Sequence, residues 1–253
     1  MDRKAGFREL LTLYGRKPVL EALQQEQLKP VRLHLSSNNR PADILERITE
    51  IAQQRGAEVI EHNPRALSRI SRNAKQDQGV ALDARLPGYQ TLDGMLAKLD
   101  GACRLIALDG VTNPQNLGMV IRSVAASPCD GLLLCDDSAP AISPLVIKAS
   151  AGSLFRAPIL RSDKLQDALQ LLKESGFVSS SLEPGAGENL LTAEPAGSRR
   201  EVFILGGESS GVSEPVRNQV DRHYHLPMAR GVESLNVAVT AALVAFLSNS
   251  PRH

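Results

Sequence analysis

Beyond residue 100, this 253-residue chain contains four short, largely apolar runs, near 104–108, 132–135, 177–180 and 202–205. A strand with one wet face alternates apolar and polar residues. Near-continuous apolar runs of this length are instead the pattern of strands covered on both faces, which belong to parallel sheets sandwiched between helices. Helical patterns near 116–127, 144–151, 163–174 and 212–220 fall between them. The alternation predicts an α/β doubly wound domain, and such folds bind ligands at the carboxyl ends of their strands.

The first part of the chain reads as a smaller α/β unit. Gly15–Leu28 has the pattern of a helix, Val31–Leu35 of an alternating strand, Pro41–Gln54 of an amphipathic helix ended by Gly56, and Ala57–Ile60 and Gly79–Asp83 of strands. The stretch LPGYQTLDG then has the Gly and Pro density of a linker. The predicted organisation is a small α/β domain over 1–85, a linker over 86–100 and a larger domain over 101–253.

Composition excludes several classes. Hydrophobic residues make up 42% and charged residues 23%, as in a soluble globular protein, with few aromatics and no Trp. The N-terminus has no apolar signal region and no apolar run approaches the roughly 18 residues of a membrane span, so a cytoplasmic location is expected. Cys103, Cys129 and Cys135 have no CxxC pairing, which argues against a disulfide framework and against structural zinc. His223 and His225 lack nearby acidic or Cys partners, and no metal is expected.

Charge is unevenly distributed. Residues 1–100 hold 16 Lys and Arg against 13 Asp and Glu, whereas residues 101–253 hold 13 against 15. The basic excess gathers in HNPRALSRISRNAK, where Arg65, Arg69, Arg72 and Lys75 recur every three or four residues. If helical, that stretch presents a cationic row to phosphates; the alternative is a solvated helix face.

Three islands mix glycines with polar side chains inside apolar surroundings: Asn113 to Arg122, Leu205 to Gly211 and Leu226 to Val239. In the first, Asn113-Pro114 suits a strand-to-helix turn, and Asn116 is a candidate cap for a helix beginning at Leu117. Arg122 is the only charge in LGMVIRSVAA, so a buried helix here would require a partner for its guanidinium. In the second, GGESSG follows a strand but matches neither the dinucleotide fingerprint nor the P-loop. PGAGENL at 184–190 imitates a Rossmann-like glycine turn, but Pro195 and Gly197 interrupt the helix that should follow. In the third, Ser234 stands where a cap belongs for a helix over 234–247 that carries no charge, which suggests that a second subunit covers it.

Together and in this order, the islands resemble the three motifs of the SpoU/TrmH group of the SPOUT superfamily, the knotted RNA ribose 2′-O-methyltransferases. N-x-x-N-x-G-x-x-x-R matches Asn113 to Arg122, G-x-E-x-x-G matches the second island, and P-M…S-L-N-V matches Pro227 to Val237. YGRKPVLEAL and QGVAL are similar to the substrate-binding domain that precedes the catalytic domain in rRNA-modifying members. The resemblance implies a trefoil knot in the C-terminal domain, a homodimer, an RNA partner (rRNA favoured over tRNA) and S-adenosylmethionine as cofactor. It implies Leu205, Gly206, Gly207, Leu226, Met228, Ser234, Leu235 and Asn236 as cofactor-binding residues. Asn116, Arg122, Glu208, Ser234 and Asn236 are the implied catalytic set, and Arg65, Arg69, Arg72 and Lys75 the candidate RNA contacts. Asn113 stands where Asp is commoner, GGESSG replaces G-x-E-G-x-G, and Asp77-Gln78-Gly79 replaces His-Gln-Gly. A guanidinium is a poor proton acceptor, so a phosphate clamp or alkoxide stabiliser suits Arg122 better than a base. The competing readings are a catalytically inactive RNA-binding or ribosome-assembly factor and a tRNA 2′-O-methyltransferase.

Overall fold

A computed structural model describes residues 10–86, 89–185, 187–193, 200–208 and 210–247. They form two compact units, one running up to residue 86 and taking in 143–155, the other covering 89–142 and 156 onward. The segment 143–155 lies within the span 101–253 read above as one domain, but it packs with the first unit. No helix among the described residues is long and apolar enough to cross a membrane.

The first unit holds a four-stranded sheet in the order β1 (Leu10–Tyr14), β4 (Val80–Arg85), β2 (Lys29–Ser36), β3 (Glu58–His62). Only the β2–β3 pair is parallel. Helices α1 (Arg16–Leu23), α2 (Asp43–Gln54) and α3 (Pro64–Ser71) belong to the same unit, as does α6 (Pro144–Ala149). The α2 helix buries Leu45, Ile48 and Ala52, places Asp43 and Glu46 in its first turn, where the helix dipole favours acids, and is followed by Gly56 at φ 76. The predicted helix 15–28 stops at Leu23, and β1 was not predicted. β1 pairs along its length with β4, a partner some 70 positions away that no local pattern announces.

The second unit is an eight-stranded, wholly parallel sheet. Its order is β10 (Glu188–Asn189), β12 (Arg222–His225), β9 (Val178–Leu182), β11 (Arg200–Gly206), β6 (Cys103–Asp109), β7 (Gly131–Cys135), β8 (Ile159–Ser162), β5 (Gln90–Thr91). The chain moves outward from β6 through β7 to β8, then returns to the other side of β6, so the strand order reverses between β6 and β11. Those two strands align from Arg200↔Cys103 to Gly206↔Asp109, and Leu105 to Leu108 and Val202 to Ile204 are almost wholly buried. This is the expected α/β architecture, and the reversal places a crevice at the carboxyl ends of β6 and β11.

Helices α4 (Leu92–Leu96) and α7 (Leu165–Glu174) lie in the second unit, and three helix starts at the crevice differ from expectation. Helix α5 (Pro114–Ala125) begins at Pro114, because Asn113, not Asn116, caps it: the Asn113 side chain accepts from Gln115 N at 2.9 Å. Helix α8 spans only Glu214–Arg217, and Ser213 before it donates its N–H to Asp109 across the crevice at 2.7 Å. Helix α9 (Val237–Phe246) is capped by Asn236, whose side chain accepts from Ala238 N at 2.8 Å, so Ser234 is not its cap. Helix α9 packs on α5 and against β11 and β6.

Candidate active site

The crevice is held shut at its base by backbone contacts that tolerate no side chain. Asp109, the last residue of β6, accepts from Gly207 N at 2.8 Å through its carbonyl and from Ser213 N through its carboxylate. Gly207 also forms an antiparallel bridge with Gly211. A Cβ on Gly206 would stand 2.0 Å from the Gly211 carbonyl carbon, and one on Gly207 would stand 2.3 Å from the Gly110 oxygen. These two glycines are therefore required by close approach, and the loop they form carries Glu208 outward. Ser209, where the family pattern has glycine, lies outside the described residues.

Glu208 meets side chains from the two helices that flank it. Asn116, 4% exposed within α5, donates its amide to Glu208 Oε1. Asn236 at the head of α9 donates to the same oxygen at 2.9 Å and to Asn116 Oδ1 at 3.1 Å. Oε2 of Glu208 makes no hydrogen bond among the described residues. One side chain from each sequence island thus enters a single network, and each amide both donates and accepts.

On one side of Glu208 lies a cavity of about 350 Å³. Of the expected cofactor residues, Leu205, Gly206, Gly207, Leu226, Met228, Ser234 and Leu235 line it; Asn236 does not, being occupied with Asn116 and Glu208. Leu182, Pro184, Val237 and Thr240 also line it, as do Glu183, Glu233 and Arg217. Pro184 begins the PGAGENL turn, which is no Rossmann turn yet borders the cleft because β9 ends beside β11. Arg217 pairs with Glu183 at 2.6 Å, and Glu183 also accepts from Ser181 and approaches His223 Nδ1 at 3.4 Å. A smaller, polar pocket lined by Thr112, Asn113, Asn116, Glu208 and Ser210 lies on the other side.

Arg122 corrects the reading of a buried guanidinium. It is exposed on α5 with Gln115 and Met119, seven and three positions away on the same face, while Leu117, Val120, Ile121 and Val124 are buried. It makes no hydrogen bond or ion pair among the described residues and takes no part in the Glu208 network. Its charge is therefore hydrated and requires no partner within the fold.

The model of the SpoU rRNA Methylase family matches residues 104–246, which is more than half of the chain and spans all three islands. The chain belongs to this family. A second model, described as RNA 2′-O ribose methyltransferase substrate binding, matches residues 12–90. Among relatives of this SpoU protein, one from Mycobacterium sp., named an uncharacterized tRNA/rRNA methyltransferase, is 32% identical over 245 residues, covering 96% of this chain and 76% of its own length. A counterpart from Mycolicibacterium smegmatis is 33% identical over 248 residues with the same coverage. Among solved structures, the SpoU methyltransferase AviRb from Streptomyces viridochromogenes, in complex with the cofactor AdoMet, superposes with a TM-score of 0.77 at 21% identity, covering 97% of this chain and 91% of its own. An AdoMet-bound rRNA methyltransferase from Sinorhizobium meliloti superposes at 0.72 with 22% identity, covering 97% and 88%.

In the SpoU protein's first unit, the expected basic row is only partly helical. Arg65 and Arg69 lie on α3, but that helix ends at Ser71, Arg72 turns left-handed at φ 53, and Lys75 lies in the turn beyond. All four are exposed, yet they do not form one helix face. Asp77 is 6% exposed and faces inward: Ser71 Oγ donates to it at 2.8 Å and Gly79 N at 3.0 Å. It holds the end of α3 to the start of β4. Among the described residues no group of three or more His, Cys, Asp or Glu is placed to hold a metal ion.

Proposed function

We propose that the protein transfers a methyl group from S-adenosylmethionine to a ribose 2′-hydroxyl of ribosomal RNA. The observation that carries this reading is Glu208 standing as the shared wall of two cavities, bound by Asn116 and Asn236. A methyl-transfer enzyme needs two ligands held in line across such a boundary. The larger cleft fits the cofactor. Leu182, Leu205, Leu226, Leu235 and Val237 provide apolar walls for an adenine ring, and Glu183, Glu208 and Glu233 against Arg217 give an acidic balance suited to a ligand carrying sulfonium and ammonium charges. When bound, the cofactor supplies the electrophilic methyl.

The chain's own residues then have distinct tasks. Asn116 and Asn236 hold Glu208 at the boundary, with Oε2 open to a hydroxyl. Ser234 and Leu235 border the cleft at its outer edge. Arg122, hydrated and forked, clamps an RNA phosphate or stabilises the developing alkoxide. The preference for ribosomal RNA rests on the family's description and on the substrate-binding region matched over 12–90. Val239, Leu243 and Phe246 are exposed at 49%, 41% and 54% along one side of α9, and a homodimer covering them accounts for a helix with no charge. A trefoil knot in the C-terminal domain belongs to the same proposal.

The test is methyl transfer from labelled S-adenosylmethionine to unmodified rRNA and tRNA, with nucleoside mass spectrometry to locate the methyl. A 2′-O-methylnucleoside formed in rRNA and absent with Arg122→Ala supports the reading. A base-methylated product, or transfer to tRNA alone, refutes it.

A further inference from the structure

A second candidate site lies in the first unit, at a hollow between the start of α1, the loop after β2 and the turn before β4. Arg16, Asn38, Asn39, Arg40, Gln78 and Gly79 line it, and none of them is acidic. Its floor is built with unusual constraint. Gln78 adopts φ 52, a left-handed conformation that a side chain with a Cβ rarely occupies. It is fixed there at both ends: its carbonyl accepts from Arg16 Nε and its side-chain oxygen from Arg16 N, each at 3.1 Å. Gly79 follows at φ 77, and a Cβ there would fall 2.0 Å from Asn39 Oδ1, while Asn39 Nδ2 donates to Gly79 O at 2.8 Å. Strained backbone persists where surrounding contacts overdetermine it, and it gathers at binding sites.

The unused groups all have one character. Both terminal nitrogens of Arg16 and the amide nitrogen of Gln78 make no hydrogen bond among the described residues. Arg40 is exposed and has no partner there. Asn38 accepts from Ser36 Oγ at 2.7 Å, which turns its oxygen inward and leaves its NH2 to the hollow. The result is a concave surface of two guanidinium groups and two amide donors, with Asp77 beneath it already occupied by Ser71 and Gly79. Such a surface matches a phosphodiester flanked by a base edge that presents acceptors.

We propose that this hollow, rather than the row Arg65, Arg69, Arg72 and Lys75, is the main contact of the first unit with substrate RNA. Arg16 and Arg40 grip one backbone phosphate, and Asn38 and Gln78 face the adjoining base. The proposal rests on RNA being the substrate. It is tested by binding the full-length protein to labelled, transcribed rRNA fragments over a range of salt concentrations. Arg40→Gln is expected to weaken binding about tenfold and to reduce the slope of log affinity against log salt by about 1. Gln78→Gly relieves the left-handed strain but also deletes the bond from Arg16 N, so the two effects on stability oppose each other; it is expected to weaken RNA binding while the melting temperature shifts by no more than about 4 °C. Cofactor affinity, measured by calorimetry, is unchanged in both. If Arg65→Gln and Arg69→Gln weaken binding while Arg40→Gln does not, the hollow is wrong and the RNA-methyltransferase reading stands. If the wild type binds no rRNA fragment, both fail.

Discussion

Asn116 and Arg122 lie six positions apart on one helix and have opposite relations to the fold. Asn116 is buried and tied to Glu208 and Asn236, so Asn116→Ala removes two hydrogen bonds and leaves Glu208 only its bond from Asn236; the expected cost is about 1–3 kcal/mol, read by calorimetric melting. Arg122→Ala, by contrast, removes an exposed, unbonded group and should change stability by no more than about 0.5 kcal/mol while abolishing methyl transfer. Equal destabilisation by the two variants would contradict these placements. Gly207→Ala sets a Cβ against the Gly110 oxygen, and the expected outcome is loss of S-adenosylmethionine binding by calorimetry with the strand content of the circular dichroism spectrum kept. Asn113 in place of Asp costs little at this scale, because both residues offer an oxygen to cap α5.

At the scale of elements, the uncharged α9 has an inner side on α5, β11 and β6 and an outer side of Val239, Leu243 and Phe246. Leu243→Glu puts a charge on that outer side; sedimentation should show a shift from twice the chain mass to the chain mass, and a monomeric wild type would remove the dimer proposal. In the first unit, β2 and β4 are joined by Asp83. The hydrogen bond from His34 is the main cause holding its carboxyl below the usual range, against the upward push of burial, with Thr12 and the charges of His34 and Arg32 adding to the lowering. Because the folded value is depressed, the stabilisation is fully present well above the unfolded value near 4 and is lost as pH falls through the folded value. Melting followed from pH 6 to pH 2 should therefore show an acid limb that is shallower in Asp83→Asn.

Over the whole molecule, thiol chemistry follows the two units. Cys103, Cys129 and Cys135 are all buried in the second, and burial, aided by nearby Asp137, pushes the Cys135 thiol up to about 12. A thiol that far from ionisation is a poor nucleophile. Ellman's reagent is accordingly expected to find all three thiols only after denaturation. Rapid labelling of the native protein would show that the sheet around β6 and β7 opens readily.

The parallel sheet was legible because strands covered on both faces must be apolar throughout, and the three islands were legible because close backbone approach admits only glycine and polar contacts admit few side chains. Helix starts were less so: Asn113, Asn116, Ser234 and Asn236 are all competent caps, and the choice between them depends on what each meets across the crevice. The outward face of Arg122 followed the 3.6-residue period already present in Gln115, Met119 and Arg122, but Met119 made that face look apolar. Sequence by itself therefore determined the fold class, the family and the residues that approach the crevice. Only the tertiary structure decided that Asn116, Glu208 and Asn236 share one oxygen, that Arg122 stands outside that network, and that Asn39 closes over Gly79, since these contacts join positions 28 to 120 residues apart and arise from how strands align across a sheet.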